Sequence, residues 1–164
     1  MNEHGPTHDT LQSLASAVLS QVGDGTLATA ESCTGGQIAA ALTSIPGSSS
    51  VFVGGIIAYS ETAKIKLLDV EPSLIAIHGV VSAEVAMAMA EGARRKLAAT
   101  FALSTTGVAG PSGGSAKTPV GTVFIGLAGP GGVVSRPFAF EGSRADVTRQ
   151  AVVAALDLLL SLGS

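Results

Sequence analysis

Thr26-Leu27-Ala28-Thr29-Ala30-Glu31-Ser32-Cys33-Thr34-Gly35-Gly36, continuing as Gln37-Ile38-Ala39-Ala40-Ala41-Leu42-Thr43-Ser44, decides how the chain is read. Residues 26–30 read as a short strand, and residues 36–44 as a helix that Pro46-Gly47 ends. A strand, a tight turn and a helix in immediate succession are the building unit of an α/β fold. The turn carries a hydroxyl, a thiol and a second hydroxyl at Ser32, Cys33 and Thr34, beside unpaired N–H groups at a helix start. Acyl-transfer chemistry suits such a place.

On the N-terminal side, Leu11, Leu14, Ala15, Val18, Leu19 and Val22 recur at helical spacing after Asp9-Thr10 and stop at Gly23, which predicts an amphipathic helix. On the other side, residues 51–59 read as a second, largely buried strand. Ser60 can cap a helix from Glu61 to Leu68, and residues 72–77 form a further helical piece. Ser82 opens a longer helix whose Val85, Met89 and Leu97 share one face, with Arg94, Arg95 and Lys96 near its end. Residues 101–105 are a third strand, leading into Gly107-Val108-Ala109-Gly110-Pro111-Ser112-Gly113-Gly114, which cannot be regular structure and is a loop. Residues 120–128 and 133–140 flank Gly129-Pro130-Gly131-Gly132 as an antiparallel hairpin. The last helix starts at Ser143, which pairs with Asp146 in a capping box, and runs to Leu162. The expected architecture is one three-layer α/β/α domain over residues 10–164, its sheet mixed and mostly parallel with one antiparallel hairpin, after a flexible tail at residues 1–9.

Composition excludes several function classes. Hydrophobic residues make up 46% of the 164 and charged residues 13%, yet the longest apolar candidate, residues 151–160, is interrupted by Asp157. It falls short of the roughly 20 residues a bilayer requires. The polar first residues, with Glu3 and Asp9, do not resemble a secretory signal, and a single cysteine cannot form an intrachain disulfide, so a cytoplasmic location is expected. Nine Lys and Arg are outnumbered by twelve acidic residues, Trp is absent and aromatics are 4%, which supplies neither a phosphate-neutralising patch nor a stacking platform. Neither nucleic acid nor membrane is an expected partner. The Ala-rich, low-charge character makes a homo-oligomer the expected state.

Three places can carry chemistry. The loop from Gly110 to Thr118 ends in Lys117-Thr118, but Ala116 stands where a nucleotide P-loop needs Gly, and Pro119 and a strand follow instead of a helix. It is either a surface loop or a backbone that approaches a phosphate or carboxylate closely. Ser32 is either a helix cap or a nucleophile, and Cys33 either buried packing or a nucleophile. A serine nucleophile needs a base. His4 and His8 fall in the tail and His78 reads as a helix C-terminal cap, so a Ser-His-Asp triad is not expected. Tyr59 and Lys64 stand at the junction of a strand and its helix, where Lys64 is either a solvated charge like Lys66 or, in an apolar pocket, a base for serine.

The set Ala30-Glu31-Ser32-Cys33-Thr34-Gly35-Gly36, Pro46-Gly47-Ser48-Ser49, Tyr59-Ser60 with Lys64, Thr106-Gly107-Val108-Ala109-Gly110-Pro111, Pro119-Val120-Gly121-Thr122-Val123 and residues 142–149 closely resembles the CinA C-terminal domain family, from about Leu11 to Leu160. The resemblance implies a nicotinamide-nucleotide amidohydrolase, which deamidates nicotinamide mononucleotide to nicotinate mononucleotide and ammonia without metal or cofactor. It implies Ser32 as nucleophile, Lys64 as general base, and Tyr59 orienting Lys64 or donating to the oxyanion. Backbone N–H groups at Cys33 and Thr34, with Gly35 and Gly36, would complete the oxyanion turn. The nucleotide phosphate would lie against Thr105, Thr106, Gly107 and the Gly-rich loop, with Arg144 as its charged contact. Larger relatives carry an extra N-terminal domain resembling molybdopterin-binding proteins, and with only a short tail before Leu11 that domain is not expected here. Where the pattern has Asn after Tyr59-Ser60, this chain has Glu61, a carboxylate that either favours protonated Lys64 or points to solvent from a helix N-terminus. The alternative function is a catalytically weak paralogue that acts as a nucleotide-binding or interaction subunit.

Overall fold

The computed structural model describes residues 8–163. Helix α1 (His8–Val22) precedes β1 (Leu27–Glu31) and α2 (Gln37–Thr43), and a 3-10 turn at Ser48–Ser50 leads into β2 (Phe52–Ile57). Three helices follow, α3 (Glu61–Leu68), α4 (Pro72–His78) and α5 (Ala83–Lys96). Then come β3 (Phe101–Gly107), β4 (Thr122–Gly129), β5 (Gly132–Ala139) and α6 (Arg144–Leu160). The tail expected at residues 1–9 lies outside the described residues up to position 7, as does His4, whereas His8 and Asp9 already belong to α1.

The five strands are ordered β2-β1-β3-β4-β5. β1 pairs in parallel with β2 and β3, while β4 is antiparallel to both β3 and β5, so four of the five strands run one way. The expected mixed, mostly parallel sheet is therefore present, and the hairpin turns at Pro130-Gly131 between the paired Gly129 and Gly132. One apolar layer, including Val18, Leu42, Leu103, Ile125 and Leu156, joins the sheet to α1, α2 and α6. A second, including Ala30, Leu68, Val85 and Met89, joins it to α3, α4 and α5. Three layers result. No helix among the described residues is long and apolar enough to cross a membrane.

Local signals set most boundaries. Ser60 accepts from the Ala63 N–H, Ser82 from the Val85 N–H, and Ser143 with Asp146 closes the capping box at α6. Two expectations change. Residues 51–59 are not a largely buried strand: β2 lies at the sheet edge and its residues alternate between half-buried and exposed, with Val53 and Ile57 among the exposed ones. The third strand does not stop at Thr105, because Thr106 and Gly107 continue the ladder opposite Phe124 and Val123.

Candidate active site

β1 lies between β2 and β3 and is wholly buried, and its C-terminal end delivers the chain directly into the Ser32–Gly36 turn. The Ser32 N–H donates to the Thr105 carbonyl on the neighbouring β3, and Gly35 N–H returns to the Ser32 carbonyl. Gly35 and Gly36 then take φ of +56° and +101°, a left-handed pair that glycine adopts without a Cβ penalty. Helix α2 begins only at Gln37, with Gly36 as a cap that offers no side chain. Cys33 and Thr34 are thus turn residues, not the helix start. Among the described residues neither of their N–H groups makes a backbone–backbone hydrogen bond.

A lysine reaches Ser32 from another element. Lys64, on α3, is 2% exposed, and its Nζ lies 2.8 Å from Ser32 Oγ and 3.0 Å from the Ala58 carbonyl. No carboxylate forms a salt bridge with it among the described residues. Burial pulls the Lys64 amine below the usual lysine range, while negative charge on Cys33 and Glu61 opposes this more weakly. Burial also pushes the Cys33 thiol up to about 11, against lowering contacts from Thr105, the Cys33 backbone and Lys64. At neutral pH Cys33 is therefore an uncharged thiol, so its negative charge does not oppose Lys64 there. Glu61 is exposed in the first turn of α3, where its charge adds to the helix N-terminus.

Tyr59 and Arg144 pair with each other at the cavity that Ser32 lines. The Arg144 Nη2 donates to the Tyr59 hydroxyl and its Nη1 to the Gly110 carbonyl at 2.8 Å. Tyr59 makes no hydrogen bond with Lys64, whose second partner is the Ala58 carbonyl instead. A cavity of about 290 Å³ lies on the side of Ser32, Gly107 and Gly110, and one of about 510 Å³ on the side of Thr34, Gln37, Thr148 and Arg149. Cys33, Tyr59 and Arg144 border both. Gly35 faces the larger cavity. The Gly-rich loop is thus a cavity wall as far as Gly113, beyond which Ser115 and Thr118 bond to each other in an exposed turn.

Thr105 and Thr106 do not line either cavity. Thr105 Oγ1 lies 2.9 Å from Thr34 Oγ1, beneath the turn, and Thr106 Oγ1 donates to the Val80 carbonyl. His78 is the last residue of α4, but Gly79 is the cap, and the imidazole lies 3.5 Å from Glu84. Among the described residues no group of three His, Cys, Asp or Glu side chains is placed to hold a metal ion.

The residue just before the turn has no role in the sequence reading. Glu31 is 1% exposed, and its carboxylate accepts from Thr34 Oγ1 at 2.7 Å, Ile38 N–H at 2.8 Å, Ala39 N–H at 3.0 Å and Thr29 Oγ1 at 3.3 Å. The sequence signal is an acidic residue ending an apolar strand shortly before a helix whose cap is glycine. Such a helix needs its N–H groups satisfied from elsewhere.

Known proteins agree with this architecture. The chain is 46% identical over 158 residues to a CinA-like protein of Parasynechococcus marenigrum, covering 95% of this chain and 38% of that protein. It is 47% identical over 156 residues to a CinA-like protein of Frankia casuarinae, covering 95% and 36%. The chain therefore spans little more than a third of the length of these curated relatives. Among solved structures, competence/damage inducible protein CihA from Agrobacterium tumefaciens superposes with a TM-score of 0.91 at 35% identity, covering 99% of this chain and all of that one. The competence damage-inducible protein A from Klebsiella pneumoniae gives 0.89 at 32% identity, with 93% and 97% covered. The model of the CinA C-terminal domain matches residues 9–162. With a family match across nearly the whole described chain and a fold shared end to end, this chain belongs to the CinA C-terminal domain family.

Proposed function

We propose that the protein is an amidohydrolase that deamidates nicotinamide mononucleotide through Ser32 and Lys64. The observation that carries the reading is the 2.8 Å approach of Lys64 Nζ to Ser32 Oγ in a buried setting without a carboxylate partner. A buried lysine of this kind is costly to keep charged, and a neutral amine has the lone pair a base requires. With one N–H directed to the Ala58 carbonyl, that lone pair can take the Ser32 proton as Oγ attacks the carboxamide carbon. Lys64 then returns the proton to the departing ammonia, leaving an acyl-enzyme. Water, deprotonated by the same amine, adds to the acyl carbon, and Lys64 passes that proton to Ser32 Oγ as the carboxylate leaves.

The turn supplies the remaining electrostatics. The N–H groups of Cys33 and Thr34, free of backbone partners, suit the developing oxyanion, a contribution of about 3–4 kcal/mol per donor in related chemistry. Arg144 stands between the two cavities with guanidinium donors beyond the two already used, which suits the phosphate of a nucleotide whose amide sits at Ser32. Thr105 and Thr106 contribute by bracing the turn and β3, and Gly107 by lining the cavity.

Incubation with nicotinamide mononucleotide should release ammonia, and Ser32→Ala and Lys64→Ala should abolish it. Absence of ammonia from the wild type would remove the proposed activity, and unchanged turnover in Ser32→Ala would remove the nucleophile. The exposed, uncharged edge strand β2, with Val53 and Ile57 outward, further supports a homo-oligomer, which light scattering behind size-exclusion chromatography measures.

A further inference from the structure

We infer that Glu31 is the positioning residue of the nucleophile turn: its carboxylate fixes the Ser32–Gly36 backbone so that Ser32 Oγ meets Lys64 and the Cys33 and Thr34 N–H groups stay open to substrate. The inference rests on the amidohydrolase reading. Four donors converge on the two carboxylate oxygens, two from backbone N–H groups of α2 and two from threonine hydroxyls. The α2 cap, Gly36, contributes no side chain, so Glu31 replaces it from the strand. The turn is therefore held at both ends by the residue that precedes it.

The same residue is joined to both members of the catalytic pair. Its Oε1 accepts from Thr34 Oγ1, which pairs with Thr105 Oγ1, and the Thr105 carbonyl accepts from the Ser32 N–H. Its own carbonyl accepts from the Ala58 N–H, and the Ala58 carbonyl accepts from Lys64 Nζ. Neither Ser32 nor Lys64 touches the carboxylate itself. Glu31 acts through geometry.

Both carboxylate oxygens are needed as acceptors. Each carboxylate oxygen faces one α2 backbone N–H, Oε1 that of Ile38 and Oε2 that of Ala39. In Glu31→Gln, whichever end becomes the amide NH2 sets a donor against a fixed backbone donor. The turn must then shift. A displacement on the ångström scale at a nucleophile costs up to about 100-fold in rate.

The test compares wild type, Glu31→Gln and Thr34→Val well below their unfolding temperatures, following ammonia release and, separately, the rate at which a fluorophosphonate labels Ser32 with loss of fluoride. Thr34→Val keeps both α2 N–H bonds to Glu31 and removes the hydroxyl with its bonds to Glu31 and Thr105, so it remains informative even where Glu31→Gln does not fold. Expected are a kcat about 10- to 100-fold lower in Glu31→Gln, with KM changed far less and the acid limb of the pH–rate profile in place. Thr34→Val should show a smaller loss of the same kind, and labelling rates should fall in parallel. A lowered melting temperature with wild-type kcat and labelling in either variant overturns the positioning role. Wild-type labelling without ammonia release would show instead that the substrate reading has failed while Glu31 still stands on the labelling rates. Absence of both from the wild type overturns the two together.

Discussion

Lys64→Met removes the amine while keeping an unbranched apolar stem in the same pocket, and it should separate what this residue does for activity from what it does for stability. Loss of a general base costs about 10²- to 10⁴-fold in rate, or about 3–5 kcal/mol in barrier height. Stability follows a different balance. The variant gives up the hydrogen bonds to Ser32 Oγ and the Ala58 carbonyl, each worth about 1 kcal/mol net, and is relieved of burying an amine. These oppose each other, so the two proteins should differ little at neutral pH.

The signature lies in how that difference changes with pH. The folded pKa of Lys64 is depressed, so above it and below the unfolded value of about 10.4 the unfolded chain holds the extra proton. The stability linked to Lys64 is fully present above the unfolded value and is lost as pH falls through the folded one. Wild type should therefore gain on Lys64→Met as pH rises toward about 10, with a ceiling slope of about 1.4 kcal/mol per pH unit. Urea denaturation of both proteins across the alkaline range measures it. Parallel stability curves, or a wild type that loses ground as pH rises, would refute a lysine depressed by burial.

Three further outcomes follow from the site. Glu61→Gln removes a charge that holds Lys64 up, so the acid limb of kcat/KM should move to lower pH by less than about one unit; a move to higher pH contradicts the assignment. Cys33→Ala should keep turnover, and Cys33 in the wild type should react slowly with iodoacetamide at neutral pH because its thiol ionises only near about 11, whereas rapid labelling seen by mass spectrometry would contradict this. Asp146 is held below the usual carboxylate range by the Ser143 hydroxyl and N–H, so Asp146→Asn should be the less stable protein near pH 6. That deficit should shrink as pH falls through the depressed folded value, and a deficit that grows in acid has the wrong sign.

The amino-acid sequence by itself determined whatever depends on near neighbours along the chain. Helical spacing from Leu11 to Val22, the caps at Ser60, Ser82 and Ser143, and the glycines after Thr34 act over a few residues, and the structure keeps each of them. Only the tertiary structure decided which strand is central and which is an edge, because that depends on what lies alongside. Hence β2, uniformly apolar in sequence, is only half buried. The site divides in the same way. Ser32 is legible on its turn, but the buried amine that meets it comes from Lys64, 32 residues away, and the partner of Tyr59 lies 85 residues away on α6. Glu31 is the sharpest case: beside Ser32 in sequence, its carboxylate finds its partners only when α2 folds back and aims its N–H groups at it. Desolvation and convergent hydrogen bonding arise from packing in three dimensions, and spacing along one chain does not specify them.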